Sequence, residues 1–271
     1  MIYKKYGEIF RALRQQKKLS VSHFESIGIS KATLAKFERG ESMMGFDRVV
    51  LALQELGISL EEYEQILNNY TNSDQDELIE RVIIADLYSD KNELLKLIND
   101  LEQSGHYSLA LAAKSTLFSL NDLESEQIID YLFSISIWGY MELSIFYLFL
   151  PNLSARETQL LINSFLIEKH PLLSSSKHRN KLLQIAYKSA ILFSSRGYID
   201  SAKYVINCID NYHLEHDMFN QNLRNLSVGY WNFCFKNTSE GKLQIQKAID
   251  IFNSLNLSEV SKYYQNMLDR L

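Results

Sequence analysis

The scarcity of proline is the feature that most restricts how this chain can fold. Only 2 of its 271 residues are proline, and 10 are glycine. Because these two residue types are the strongest interrupters of helices, long stretches are left free to be helical. Apolar residues recur at three- and four-residue spacing, and no run alternates apolar and polar residues as a half-buried strand does. The sequence therefore predicts an all-α fold.

Five short helices are predicted in the first 68 residues. Ser20, Ser30 and Ser59 each have a side chain suited to a helix N-cap. Glycine at positions 28, 40 and 57 supplies the breaks between helices. The predicted helices span about 2–17, 20–24, 31–39, 47–56 and 60–67, with a tight turn between the second and the third.

This order of helices resembles the helix-turn-helix domain of the Cro/phage-repressor (XRE) type. The segments that carry the resemblance are LRQQKKLSVSHF, GISKATLAKFERGES and LQELGISLEEY, and together they cover residues 3–67. The resemblance implies a DNA-binding domain at 1–68. A linker at 69–74 and a second domain at 75–271 follow.

The charge distribution fits this division. Residues 1–48 carry 10 Lys/Arg and 5 Asp/Glu, a net charge of +5, and since the whole chain carries −5, the remainder carries −10. A basic head on an acidic body is typical of a nucleic-acid module joined to a part that does not touch nucleic acid.

Groove geometry points to the start of the third helix as the part that reads bases. The major groove admits one α-helix, whose first residues reach the base edges. The resemblance places Lys31, Ala32 and Lys36 at base-facing positions. Arg14 matches an ion pair with Glu38 that joins the first and third helices, and it is also a candidate DNA contact. The candidate contacts near phosphates are Ser20, Ser30, Thr33, Arg11 and Lys18.

After residue 75 the sequence predicts one helix after another. Gly105, Gly139 and Gly197 are each followed by an aromatic residue and, five positions on, by a small one. This is the pattern of degenerate tetratricopeptide-like helix pairs, so we expect an α-solenoid. The predicted helices span about 75–89, 91–103, 106–119, 124–137, 140–149, 155–168, 176–195, 198–211, 215–235, 239–254 and 258–270.

The helix at 215–235 carries a candidate binding surface. Asn222, Asn225, Gly229 and Asn232 form a stripe at helical spacing beside an apolar stripe. An asparagine amide both donates and accepts, as a peptide group does, and a glycine admits a close backbone. The stripe is therefore either a peptide-contacting surface or an ordinary solvated face.

The segments FERGES, LLQIAYKSAILF, SVGYWNFCF and GKLQIQKAIDIFNSL carry a second resemblance. Through them the whole chain resembles the Rgg family of Gram-positive transcriptional regulators. It implies a homodimer that binds double-stranded promoter DNA, a contact with RNA polymerase, and a short hydrophobic peptide pheromone held by the solenoid. Lys188 and Arg156 are further candidate peptide anchors. The alternative is a repeat domain that binds a cytoplasmic protein partner.

Enzymatic chemistry is not expected. The chain has no GxSxG, P-loop or GxGxxG motif, and we expect no cofactor. His213 and His216 are spaced as a conceivable metal pair, but both fall at a predicted helix junction, and neither HExxH nor a cysteine pair supports a metal site.

The remaining features indicate a cytoplasmic protein that does not enter the membrane. The stretch 131–150 is long enough to cross a bilayer and carries one charge, Glu142, but Gly139 interrupts it. We expect two buried helices that meet near Trp138. The N-terminus has no secretory signal, and two cysteines, Cys208 and Cys234, fit a reducing compartment.

Overall fold

A computed structural model describes residues 4–70, 74–166, 171–211 and 217–268, except the side chains of residues 74, 267 and 268. The chain divides into two compact units, 1–77 and 78–271, which are treated separately. The first four α-helices are α1 (Lys4–Gln16), α2 (Lys31–Glu38), α3 (Phe46–Leu56) and α4 (Leu60–Leu67), with a 3₁₀ helix at Val21–Ile27. The second helix predicted for this region is therefore 3₁₀ rather than α.

Serine caps begin three helices of the first unit, as the sequence predicts. The hydroxyl oxygens of Ser20, Ser30 and Ser59 accept hydrogen bonds from the backbone N–H groups of residues 23, 33 and 62. Gly28 and Gly57 end helices with φ angles of +82° and +67°, a conformation that glycine adopts without a Cβ penalty. Sequence-local chemistry thus fixes where these helices start and stop.

An aromatic cluster forms the centre of the first unit. The ring of Phe10 on α1 meets Phe24 and Phe37 edge-to-face, with ring centroids 5.8 Å and 5.7 Å apart. All three side chains are buried. This packing joins α1, the 3₁₀ helix and α2, and so holds α2 by its apolar face while its polar face stays exposed.

Eleven further α-helices follow in the described part of the chain, each corresponding to one predicted from the sequence, together with 3₁₀ helices at Leu150–Asn152 and Pro171–Ser174. The α-helices are α5 (Asp74–Leu87), α6 (Lys91–Gln103), α7 (Tyr107–Leu117), α8 (Asp122–Ser134), α9 (Tyr140–Phe149), α10 (Ala155–Asn163), α11 (Ser176–Ser195), α12 (Ile199–Asn211), α13 (Met218–Phe235), α14 (Thr238–Ser254) and α15 (Ser258–Leu268). The division between the two units falls within α5. No strand occurs in the described ranges, and the fold is all-α.

The small residues of the repeated motif lie where helices pack. Ala110, Ser144 and Ala202, each five positions after a motif glycine, are all buried. In the second unit α7 packs on α9, α9 on α11 and α11 on α13. These helices form an inner row, behind which α6, α12 and α14 pack against α7, α11 and α13 respectively. The predicted solenoid of helix pairs is present.

The apolar stretch 131–150 is two separate elements. Helix α8 ends at Ser134 and α9 starts at Tyr140, with Gly139 at its N-cap. Most of α9 is buried inside the second unit. Among the described residues, no helix combines the length and the apolar character that a membrane crossing requires.

Candidate functional site

The start of α2 presents a row of exposed polar side chains. The Ser30 hydroxyl lies 2.9 Å from the Thr33 hydroxyl, which holds both at the helix N-terminus. Lys31, Ala32 and Lys36 are exposed. Lys31 Nζ lies 3.3 Å from a Glu25 carboxylate oxygen, in a pair whose side chains are both about half exposed. Such an exposed pair contributes little to stability, so Lys31 can exchange it for a stronger acceptor.

The other predicted phosphate contacts also lie on the surface of the first unit. Arg11, Lys18 and Ser20 are exposed. Lys18 has a φ of +58°, which closes the turn after α1. Ser20 uses its hydroxyl to cap the 3₁₀ helix, as described above. The structure thus leaves both basic side chains available to an anionic partner.

Arg14 is a correction to the list of candidate DNA contacts. The residue is only 7 % exposed, and its Nε and Nη2 donate to the two carboxylate oxygens of Glu38 at 2.6 Å and 2.8 Å. Its Nη1 donates to the carbonyl of Leu19. The hydrogen bonds with Glu38 raise the pKa of Arg14. The guanidinium is therefore committed to the core of the unit, and the expected ion pair is present.

The inner row of helices in the second unit, together with α5 and α15, lines an open pocket of about 560 Å³, which we call the inner-row pocket. Leu148 from α9 and Ile191 and Leu192 from α11 supply apolar surface. Tyr230 from α13 and Tyr263 from α15 add aromatic rings. The volume lies within the range of small-ligand sites.

The polar lining of this pocket includes two asparagines and one lysine, besides Asp86, Ser89, Ser115, Thr116 and Ser195. Asn152 and Asn266 line it, and both are exposed. Lys188 on α11 also lines it, although its side chain is only 2 % exposed. Lys188 Nζ donates to the backbone carbonyl of Tyr147 at 3.0 Å. The pocket therefore combines amides that can pair with a peptide group and a buried cation.

Arg196 positions the loop at one edge of this pocket. Its guanidinium donates to the backbone carbonyls of Pro151 and Leu153. Pro151 and Asn152 both line the pocket. Sequence reasoning missed Arg196, because no local pattern links it to carbonyls more than forty residues earlier in the chain.

Two family models match the chain. The model described as "HTH-type transcriptional regulator Rgg, C-terminal domain" matches residues 88–266, which is more than half of the chain. A helix-turn-helix model matches residues 10–63. The chain belongs to the Rgg family of helix-turn-helix transcriptional regulators.

Solved structures share the fold along nearly the whole length of this Rgg chain. The SHP pheromone receptor Rgg2 from Streptococcus dysgalactiae is 23 % identical, with a TM-score of 0.75, over 98 % of this chain and 100 % of that one. A candidate transcriptional regulator from Listeria monocytogenes EGD-e is 16 % identical, with a TM-score of 0.78, over 99 % and 97 %. PrgX in complex with cCF10 is 13 % identical, with a TM-score of 0.70, over 98 % and 99 %.

The asparagine stripe of this Rgg protein faces α14 rather than the pocket. Asn222 Nδ2 donates to the carbonyl of Ala248, and Asn232 Nδ2 donates to Gln244 Oε1 at 2.7 Å. A Cβ on Gly229 would lie 3.0 Å from Ile245 atoms. Gly229 therefore admits the neighbouring helix, which corrects the expectation that it admits a ligand backbone.

The remaining candidates are scattered. Asn225 is exposed and, with Asn222, lines a separate pocket of about 270 Å³ between α13 and α14. Arg156 is exposed on the first turn of α10, away from the lining of the larger pocket. His213 and His216 lie outside the described residues. Within the described ranges, no group of histidine, cysteine or acidic side chains is arranged to hold a metal ion, and Cys208 and Cys234 are free thiols.

Proposed function

We propose that this Rgg-family protein is a cytoplasmic regulator whose activity is set by a short hydrophobic peptide bound in the inner-row pocket. The observation that carries the proposal is the pocket itself, in which apolar side chains from α9 and α11 lie beside the asparagine amides. Two structural neighbours support the peptide, because one is named a pheromone receptor and PrgX was crystallised with cCF10.

The size and chemistry of the pocket suit part of a peptide. Its volume falls within the roughly 300–1,000 Å³ of small-ligand sites. Leu148 and Ile191 offer contacts to apolar side chains, while Asn152 and Asn266 can bond to backbone amides that would otherwise be buried without partners. A short extended peptide meets both requirements.

The first unit is proposed to bind promoter DNA through the exposed start of α2. Lys31 and Lys36 can donate to guanine O6 and N7, and Ala32 can contact a thymine methyl group. Arg11, Lys18, Ser20, Ser30 and Thr33 would contact phosphates or lie near them. A single small domain contacts few phosphates, so we propose a homodimer that reads two half-sites and then contacts RNA polymerase.

Lys31→Ala tests the base contacts. We expect operator affinity to fall about tenfold and base preference to relax at the contacted position, because a good base contact contributes roughly 1–3 kcal/mol. The measurement is a footprint on DNA from upstream of the gene. Lys91→Ala, which removes an exposed charge from α6, is the matched control and should leave the footprint unchanged. A wild-type footprint for Lys31→Ala would contradict this role for α2.

Mass spectrometry of retained molecules tests the peptide. Full-length protein is incubated with a size-fractionated extract of culture medium and separated from free solutes by gel filtration. The proposal predicts retention of a short apolar peptide. Retention of a folded cytoplasmic protein alone would contradict it and favour a protein-binding repeat domain.

A further inference from the structure

Helix α11 carries three lysines that alternate in space with three tyrosines. The ammonium of Lys181 lies 4.9 Å from the centre of the Tyr147 ring, and that of Lys188 lies 4.1 Å from the centre of the same ring. We call this arrangement the lysine–tyrosine ladder, and its members in spatial order are Lys177, Tyr140, Lys181, Tyr147, Lys188 and Tyr263. Its Lys188 end lies in the inner-row pocket.

Two ladder lysines are buried without a carboxylate partner. Lys181 is 5 % exposed and Lys188 is 2 % exposed. Among the described residues, neither forms an ion pair with an acidic side chain. The tyrosine rings attract both ammonium groups, but ring faces compensate only part of the free energy of removing a charge from water. A buried cation in this state is stabilised by any anion that reaches it.

The contact that Lys188 makes with the protein leaves most of its donors available. Tyr147 lies four residues before Pro151, which has no N–H, so its carbonyl lacks the usual helical donor. Lys188 supplies that donor. An ammonium has three hydrogens, and this contact uses one of them. Capping α9 therefore does not explain why a full positive charge is buried here.

Each buried lysine of the ladder has one carboxylate in its neighbourhood, and in the described part of the chain neither forms an ion pair with it. Asp86 from α5 lines the same pocket and lies beyond ion-pair distance of Lys188. Glu80, also on α5, lies near enough to act on Lys181 electrostatically. Lys188 therefore shares the pocket with Asp86, and Lys181 lies behind it near Glu80, while burial strengthens the field of both lysines relative to exposed charges.

We propose that Lys188, with Lys181 behind it, is a carboxylate receptor, so that the peptide bound by this protein carries an acidic group at the α11 end of the pocket. This inference rests on the proposed function, since it specifies the chemistry of the same ligand. The carboxylate comes from an Asp or Glu side chain or from the peptide C-terminus. Lys188 contacts it directly, and Lys181 is a positioning residue whose charge adds to the attraction.

Four versions of one degenerate pool of apolar octapeptides test the proposal. The versions have a Glu and a free C-terminus, a Gln and a free C-terminus, a Glu and an amidated C-terminus, or a Gln and an amidated C-terminus. Each pool is incubated with full-length protein, and retained peptides are quantified by mass spectrometry. We expect the doubly neutral pool to be retained about tenfold less than the best acidic pool, because a charge-assisted hydrogen bond is lost. Whichever single-carboxylate pool is retained identifies the source.

Variants separate charge recognition from a structural role. Lys188→Met should abolish the preference for acidic pools, Lys188→Arg should retain it, and Lys181→Met should reduce it. Lys203→Met removes an exposed lysine of α12, which lies over the ring of Trp231 on α13, and it should leave the preference for acidic pools unchanged. Equal retention of all four pools by the wild-type protein would contradict the proposal that Lys188 binds a carboxylate. An unchanged preference in Lys188→Met would contradict it as well. Retention of no pool would instead count against the proposed function, and the receptor would fall with it.

Discussion

Buried basic side chains occur in both units of this molecule, and they differ in whether a carboxylate pairs with them. Arg14 in the first unit meets Glu38 through two hydrogen bonds, so its buried charge is fully compensated. Lys181 and Lys188 in the second unit meet tyrosine rings and a carbonyl instead. A compensated buried charge specifies a core contact, whereas an uncompensated one reduces stability until a ligand arrives. At the residue scale, an arginine whose buried charge is paired thus differs from two lysines whose buried charges have no ion-pair partner among the described residues.

The pH dependence of stability tests the state of Lys181. Burial and the neighbouring Lys188 lower the pKa of Lys181 to about 8, against an ordinary value of 10.5. Between these two values the unfolded chain binds more protons than the folded chain, so this residue makes stability rise with pH. At pH 7 the charged form is buried. The free energy of unfolding of Lys181→Met should therefore exceed that of the wild type by about 1–4 kcal/mol, seen as a higher urea midpoint.

This advantage of Lys181→Met should shrink as the pH rises through about 8. Tryptophan fluorescence in urea at pH 7 and pH 9.5 measures it for the second unit alone, because both tryptophans, Trp138 and Trp231, lie there. Lys203→Met is the exposed control and should show no pH-dependent gap. A Lys181→Met protein that is less stable than the wild type at pH 7 would contradict the picture of an uncompensated buried charge.

At the scale of elements, the positions of the helices along the chain could be predicted from the sequence. Which face of each helix packs against which neighbour could not. Serine caps, glycine ends and apolar spacing are local signals, and they locate α1–α15 to within a few residues. Which side of α13 meets α14 depends on residues of α14, so the sequence of α13 alone does not determine it. The local pattern therefore predicts that Asn222 and Asn232 bind a ligand, whereas in the structure they bond to Ala248 and Gln244 of α14. Asn152 and Asn266 reach one pocket from distant parts of the chain, and no local pattern brings them together.

Two sets of asparagine substitutions test this reassignment. Asn152→Ala with Asn266→Ala should weaken peptide binding about tenfold and leave stability unchanged, because both side chains are exposed and line the pocket. Asn232→Ala should do the reverse, lowering stability by about 1 kcal/mol through the lost bond to Gln244. Peptide titration and urea unfolding measure the two effects. Loss of peptide binding in Asn232→Ala alone would contradict the reassignment and would indicate that the peptide binds to α13.

Gly241 tests how closely α14 must approach α13. A Cβ at this position would lie 2.2 Å from the backbone nitrogen of Phe233, so Gly241→Ala forces the two helices apart. We expect a loss of about 1–3 kcal/mol of unfolding free energy, seen as a lower urea midpoint in tryptophan fluorescence. Ser239→Ala, an exposed position two residues earlier, should keep the wild-type midpoint. Equal midpoints for both variants would show that α14 can move without cost.

At the scale of the whole molecule, a DNA-binding unit and a proposed peptide-binding unit belong to one chain. Coupling between them requires two states that the peptide distinguishes by free energy, and DNA must then alter peptide affinity by the same factor. A carboxylate that neutralises the buried lysines is a direct source of such a free-energy difference. We expect it to stabilise the packing of α9, α11 and α15, because all three helices contribute to the pocket.

Sedimentation velocity tests the central claim, which is that a peptide in the inner-row pocket controls DNA binding. Full-length protein is sedimented with DNA from upstream of its own gene, with and without a peptide fraction of culture medium. We expect a dimer on DNA, with a peptide that co-sediments and changes either the affinity or the sedimentation coefficient of the complex, and no such change for Lys188→Met. An identical DNA complex in both samples, with no peptide in the sedimented material, would contradict the claim.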